Sequence, residues 1–101
     1  MDYFIATATE QEIKKEKQKA RDIRRSQWWK GKCAERKCYY CGTVKAPDEL
    51  TMDHIVPVIR GGKSVKNNIV PACKDCNNKK KHALPVEWDE YLAKVKKETL
   101  D

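Results

Sequence analysis

The sequence has little of what a large apolar core or a membrane span requires. It contains one Phe, two Met and two His, and four each of Gly and Pro. No apolar run approaches the roughly 20 residues of a spanning helix, so a membrane role is not expected. A basic start followed by an apolar signal core is also lacking. These absences point to a soluble, cytoplasmic protein, in a compartment where thiols stay reduced. With 101 residues, 40% hydrophobic and 37% charged, the chain forms one domain at most, with polar extensions. A domain this small commonly needs a metal or a partner to be stable.

Five cysteines and a net charge of +7 stand against that sparse background. Excess Lys and Arg on so short a chain favours a polyanionic partner, because each neutralised phosphate releases counterions. The plainer alternative is a solubilising surface.

Thr9 with Glu12 three residues later forms a capping-box pattern. From Glu10 to about Trp29 there is neither Gly nor Pro, which predicts one helix ended by Gly31. Its apolar stripe of Ile13, Ala20 and Ile23 is thin, so the helix is not a core element along its whole length. Its basic residues, Arg24 and Arg25 among them, line either a DNA backbone or a solvated face. Trp28 and Trp29 read as an anchor that pins the helix to the body, with base stacking as the alternative. Phe4 and Ile5 are expected to pack back on that body.

Cys38-Tyr39-Tyr40-Cys41-Gly42 has the form of a knuckle whose thiolates converge while Gly42 takes a conformation other residues resist. A second knuckle is Cys73-Lys74-Asp75-Cys76. Thirty-one residues lie between Cys41 and Cys73, so the insertion must itself be structured. Four thiolates around one Zn²⁺ close the coordination shell, which makes a structural site. A redox pair, buried thiols or a rubredoxin-like iron site are the alternatives. Cys33 fits neither knuckle and reads as a packed free thiol.

Between the knuckles, Leu50 to Val56 reads as a strand, followed by a loop through Arg60, Gly61, Gly62 and Lys63. A second strand spans Ile69 to Ala72, and a helix runs from Cys73 to about His82. After Pro85 a final helix over Val86 to about Glu98 places Trp88, Leu92 and Val95 on a face that covers the module.

Four separated elements now stand in order: Met52-Asp53-His54-Ile55-Val56-Pro57, Gly61-Gly62, Ser64 to Val70 with Asn67-Asn68, and Cys73-Lys74-Asp75-Cys76-Asn77. Together they resemble an HNH endonuclease of the zinc-stapled kind, over about residues 33 to 82. The resemblance implies an α+β fold, a small ββα-metal module with a four-cysteine zinc site flanked by N- and C-terminal helices. The divisions would be 1–32 as helical extension, 33–84 as nuclease module and 85–101 as C-terminal helix. It implies a prokaryotic or phage-type enzyme that hydrolyses DNA to 5′-phosphate and 3′-hydroxyl ends with one divalent ion.

On that resemblance Asp53 and Asn77 hold the catalytic ion, His54 is the general base, and Asn68 braces the loop between the strands. Asn67 and Asn78 are the adjacent alternatives for the two amides, and His82 reads as a surface residue. Asp53 and Asn77 offer hard oxygen donors, which suit Mg²⁺ or Mn²⁺ better than zinc. An imidazole with a pKa near 6.5 can take a proton from water at neutral pH. Arg60, Lys63, Lys79, Lys80 and Lys81, with Arg24 and Arg25, are the candidates for backbone contacts to DNA, which would be double-stranded. A homodimer through the N-terminal helix is a candidate assembly. The alternative function is a non-catalytic zinc module that binds nucleic acid.

Overall fold

The computed structural model describes residues 8–99, so Phe4 and Ile5 lie outside the described residues. Thr9 opens α1 (Glu10–Arg24) through the expected capping box. The Glu12 N–H donates to Thr9 Oγ1, and the Thr9 N–H to Glu12 Oε1, each at 3.1 Å.

The helix does not continue to Trp29 as its composition suggests. Ser26 divides it, donating its hydroxyl to the Ile23 carbonyl at 2.6 Å and accepting from the Trp29 N–H at 3.2 Å. One side chain thereby satisfies orphan groups at the end of α1 and at the start of α2 (Gln27–Ala34). Gly31 lies inside α2 rather than ending it. The break turns Trp29 into the core, where it is buried, and leaves Trp28 half-buried beside it with Lys32 and Lys66 over its ring. Both tryptophans therefore anchor the N-terminal helices to the body.

Two antiparallel strands follow, β1 (Leu50–His54) and β2 (Ile69–Cys73), paired from Leu50 opposite Cys73 to His54 opposite Ile69. Pro71 is tolerated in β2 because its carbonyl accepts from the Tyr39 N–H at 2.9 Å, on the edge away from β1. Its missing N–H faces that same edge and costs the hairpin nothing. β1 stops two residues earlier than predicted. Beyond His54 the ladder is replaced by Asn68, whose carbonyl accepts from Ile55 N–H and whose Oδ1 accepts from Val56 N–H, both at 2.9 Å.

The loop between the strands holds two short 3-10 turns, Val58–Arg60 and Lys66–Asn68. Gly62 passes so close to β1's extension that an added Cβ would sit 1.7 Å from the Val56 carbonyl oxygen. Only glycine fits there.

Cys73 caps α3 (Lys74–Lys80), which ends short of His82 where Lys81 takes φ 48°. Pro85 begins α4 (Pro85–Thr99), a favoured first position because its absent N–H would be unpaired anyway. Of the face expected to cover the module, Trp88 is buried. Leu92 and Val95 are 40% and 37% exposed. Trp88 meets Tyr40 edge-on at 5.7 Å and stacks with Tyr91 at 5.4 Å, while Glu87 receives Arg60 at 3.2 Å.

The core consists of Trp29, Leu50, Ile69, Ala72 and four cysteines, 33, 38, 73 and 76. Among the described residues Trp29 is the one buried large aromatic of this cluster, so little else there can fill the space it leaves. Trp29→Ala is expected to lower stability by about 3 kcal/mol or more, and Trp28→Ala by clearly less. Denaturant unfolding of both variants checks the order, and an equal or larger loss in Trp28→Ala would contradict it.

Candidate active site and metal centre

The first knuckle is a tight turn in which Cys38 N–H donates to the Thr43 carbonyl at 3.1 Å and Gly42 N–H to the Cys38 carbonyl at 3.0 Å. Gly42 sits at φ 71°, the left-handed geometry its sequence position suggests. The Tyr39 contact to Pro71 docks this turn on β2, and the end of β2 with the first turn of α3 carries the second knuckle.

The sulfurs of Cys38, Cys41, Cys73 and Cys76 all lie within 4.8 Å of one another, with Cys41 and Cys73 at 3.9 Å. Zinc–sulfur bonds of about 2.3 Å place tetrahedral sulfurs about 3.8 Å apart, so the group fits one ion of that size. Three of the thiols are buried and Cys41 is exposed. Cys33 is buried apart from this group, and burial pushes its thiol up.

One turn beyond the knuckle a cleft of about 400 Å³ opens between α1, the end of β1 and α3. Asp53, His54 and Asn77 all line it, with Lys17, Lys81 and His82 at its rim. Asn68 does not. Its amide lies behind the loop, donating from Nδ2 to the Val56 and Lys63 carbonyls at 3.0 and 2.9 Å. Asn67 lines a different groove with Trp28, and Asn78 lines the cleft beside Asn77. His82 is exposed.

Each lining group is held from behind. The Asn77 Nδ2 donates to Thr51 Oγ1 at 2.8 Å, and Thr51 commits its single proton to the Ala72 carbonyl at 2.9 Å. The amide nitrogen must therefore face Thr51, which turns the amide oxygen the other way. Asp53 is buried, and its Oδ2 receives the Tyr40 hydroxyl and lies 3.4 Å from Lys80 Nζ. Burial first, then this hydrogen bond, pushes the Tyr40 phenol far above its ordinary value, so it remains a donor. Asp53 Oδ1 has no protein partner among the described residues and is not sealed from solvent. Asp53 and Asn77 thus bring a carboxylate and an amide to a single cleft, a donor set suited to a hard divalent cation.

His54 is half-buried, and its Nε2 lies 2.9 Å from Ser64 Oγ. Burial pushes the imidazole below its ordinary value, outweighing the opposite pull of Asp53 and Glu16.

Two of the expected DNA contacts are corrected here. Lys80 is 2% exposed, and its ammonium is taken by Asp53 and, at 3.1 Å, by the His54 carbonyl. It lies on the inward face of α3, four residues from buried Cys76. Arg60 is engaged with Glu87 and the His82 carbonyl, and its side chain is 14% exposed. Arg24, Arg25, Lys63, Lys79 and Lys81 are exposed. Of these, Lys79 pairs with Asp75 at 3.1 Å and Lys63 with Glu12 at 3.9 Å.

Sequence reasoning did not assign Tyr40, Thr51, Ser64 or Glu16 to the site. Glu16 had a visible signal. It falls three residues after Ile13 and four before Ala20, in the middle of α1's apolar stripe, where a carboxylate must be buried and bonded.

A hairpin and helix stapled by four thiols, with an Asp-His pair at the strand end facing an Asn on the helix, define a ββα-metal module. Residues 38–92, just over half of the chain, match the family model of HNH endonucleases. The chain belongs to the HNH endonuclease family. No curated protein matches it.

Glu16 is 3% exposed and its Oε1 accepts the Ser64 N–H at 2.6 Å, the main reason its carboxyl is held below the usual range. A lowered folded-state value means that the contact stabilises fully above the ordinary carboxylate pKa and is lost as pH falls through the lowered one. The Tm difference between wild type and Glu16→Gln should be largest near neutrality and shrink below about pH 4. A difference that grows on acidification would contradict this sign.

Proposed function

We propose that the chain is a metal-dependent DNA endonuclease or nickase, with zinc held by Cys38, Cys41, Cys73 and Cys76 and Mg²⁺ or Mn²⁺ held by Asp53 and Asn77. The observation that carries the reading is the single cleft lined by Asp53, His54 and Asn77 together, with the Asn77 amide oriented by Thr51. The bound divalent ion would supply positive charge against the scissile phosphate and the leaving 3′ oxygen. His54 takes a proton from the attacking water. Asn68 holds the loop behind His54 in register through its bonds to Val56 and Lys63. Lys81 at the rim, with Lys63, Lys79, Arg24 and Arg25, offers exposed cations to the phosphate backbone of duplex DNA.

One observation favours a second reading, a zinc module that binds nucleic acid without cutting it. Lys80 already neutralises Asp53 from inside the fold. Both readings need the structural zinc, and cleavage separates them.

Incubated with supercoiled plasmid and Mg²⁺ or Mn²⁺, the wild type should relax or linearise it, and His54→Ala should be slower by about 10² to 10⁴. Equal cutting by both removes His54 from the chemistry, and no cutting by either across metals favours the binding module. Elemental analysis should find one zinc per chain. Cys41→Ser with Cys76→Ser should lose that zinc and with it on the order of 10 kcal/mol of metal-dependent folding energy; a folded, metal-free double variant would refute the structural role.

A further inference from the structure

Three hydrogen bonds join the N-terminal helix to the cleft. Ser64 is 4% exposed and sits between Glu16 of α1 and His54 of β1. Its N–H donates to Glu16 Oε1 at 2.6 Å, its Oγ lies 2.6 Å from the Glu16 carbonyl oxygen, and the same Oγ lies 2.9 Å from His54 Nε2. A serine hydroxyl has one proton. The Glu16 carbonyl can only accept, so that proton belongs to the Ser64–Glu16 bond. Toward His54 the Ser64 oxygen then has only lone pairs to offer, and Nε2 must be the donor.

The consequence for the imidazole follows from its chemistry. A neutral ring protonated on Nε2 has its basic lone pair on Nδ1. Among the described residues Nδ1 has no protein partner, and it is not sealed from solvent. His54 lines the cleft, so that nitrogen is the one open to a water there. Glu16 holds Ser64 by two arms, main-chain carbonyl and side-chain carboxylate. Lys19, at 3.4 Å from the other carboxylate oxygen, keeps the second arm in place.

We infer that Ser64 and Glu16 are positioning residues for His54: the Ser64 hydroxyl, its proton committed to the main-chain carbonyl of residue 16, fixes the Nε2–H tautomer and leaves Nδ1 as the nitrogen that accepts the proton, while the Glu16 carboxylate holds Ser64 in place through its N–H. Glu16 lies outside the segment that matches the family, so α1 completes the site instead of merely extending the chain. The inference rests on the reading of His54 as general base, but the tautomer is a property of the folded chain whether or not it cuts DNA.

The test therefore has two arms, both on the full zinc-loaded chain. In the first, ¹⁵N NMR of the imidazoles, above the titration range of free imidazole, should show His54 as the Nε2–H tautomer in the wild type. The two imidazoles are told apart by His82→Gln. Ser64→Ala should shift His54 toward a mixture of tautomers. An Nδ1–H tautomer in the wild type, or no change in Ser64→Ala, overturns the inference.

The second arm is cleavage kinetics. Ser64→Ala and Glu16→Ala should lower kcat about 10- to 100-fold with KM little changed, as expected for a misplaced reacting group. Glu16→Gln keeps an acceptor oxygen toward Ser64 and should recover most of the loss. Retained zinc and an unchanged circular dichroism spectrum establish folding for each variant. A loss confined to KM, or a Glu16→Gln variant as poor as Glu16→Ala, also overturns the inference. If the tautomer behaves as stated while no form cuts DNA, the positioning stands and the nuclease reading fails.

Discussion

The convergence of four sulfurs on one point is the constraint on which the remaining geometry depends. Two chain segments more than thirty residues apart in sequence meet there, and each thiol belongs to an element that also carries a cleft residue or a residue bonded to one. Cys73 ends β2 opposite Leu50, which fixes the register that brings Asp53 and His54 to the far end of the hairpin. Cys76 is followed directly by Asn77, so the sulfur sets the rotation of α3 that turns Asn77 into the cleft. With three of these thiols in the apolar core, little hydrocarbon remains to hold the hairpin and helix together without an ion. In a domain of this size a metal held by such a cluster can take the place of a larger buried surface.

A second regularity concerns protons. Asn77 is aimed by Thr51, whose hydroxyl proton is committed to the Ala72 carbonyl. His54 is aimed by Ser64, whose hydroxyl proton is committed to the Glu16 carbonyl. In both cases a main-chain carbonyl removes the ambiguity of a hydroxyl rotor, and the hydroxyl then removes the ambiguity of an amide or an imidazole. Asp53 is handled differently, by a phenol and a buried ammonium on one oxygen, which leaves the other without a protein partner among the described residues. Fixed partners of this kind lower the reorganisation that a site needs when a charged ligand arrives.

How much of this was legible in the sequence depends on the range of each signal. The knuckles, the two strands and the helix after Cys73 are local patterns, and they appear close to where spacing puts them. The break at Ser26 was hidden because a serine inside a Lys- and Glu-rich run carries no propensity strong enough to stop a helix. It acts through two specific hydrogen bonds that need Trp29 to have somewhere to go. Composition alone makes Lys80 a surface cation, because it sits in a run of three lysines. The four-residue step from Cys76, which places it inward, outweighs composition there. Leu92 and Val95 were given a covering role on periodicity alone, yet α4 touches the body mainly through Trp88 and Glu87, at one end. Ser64 and Thr51 have no one-dimensional signature at all, since their roles exist only once strands and α1 are brought together.

Tyr40 has a bearing on how the first knuckle can vary. Two residues separate Cys38 from Cys41, and knuckles of three or four intervening residues also hold zinc. The phenol in that spacer reaches Asp53 on one side and packs edge-on against Trp88 on the other. Spacer length thus answers to two separate geometric demands, one set by sulfur and one by the carboxylate. A longer spacer could keep the ion while swinging the ring out of reach, and the loss would appear at Asp53 and at Trp88 together.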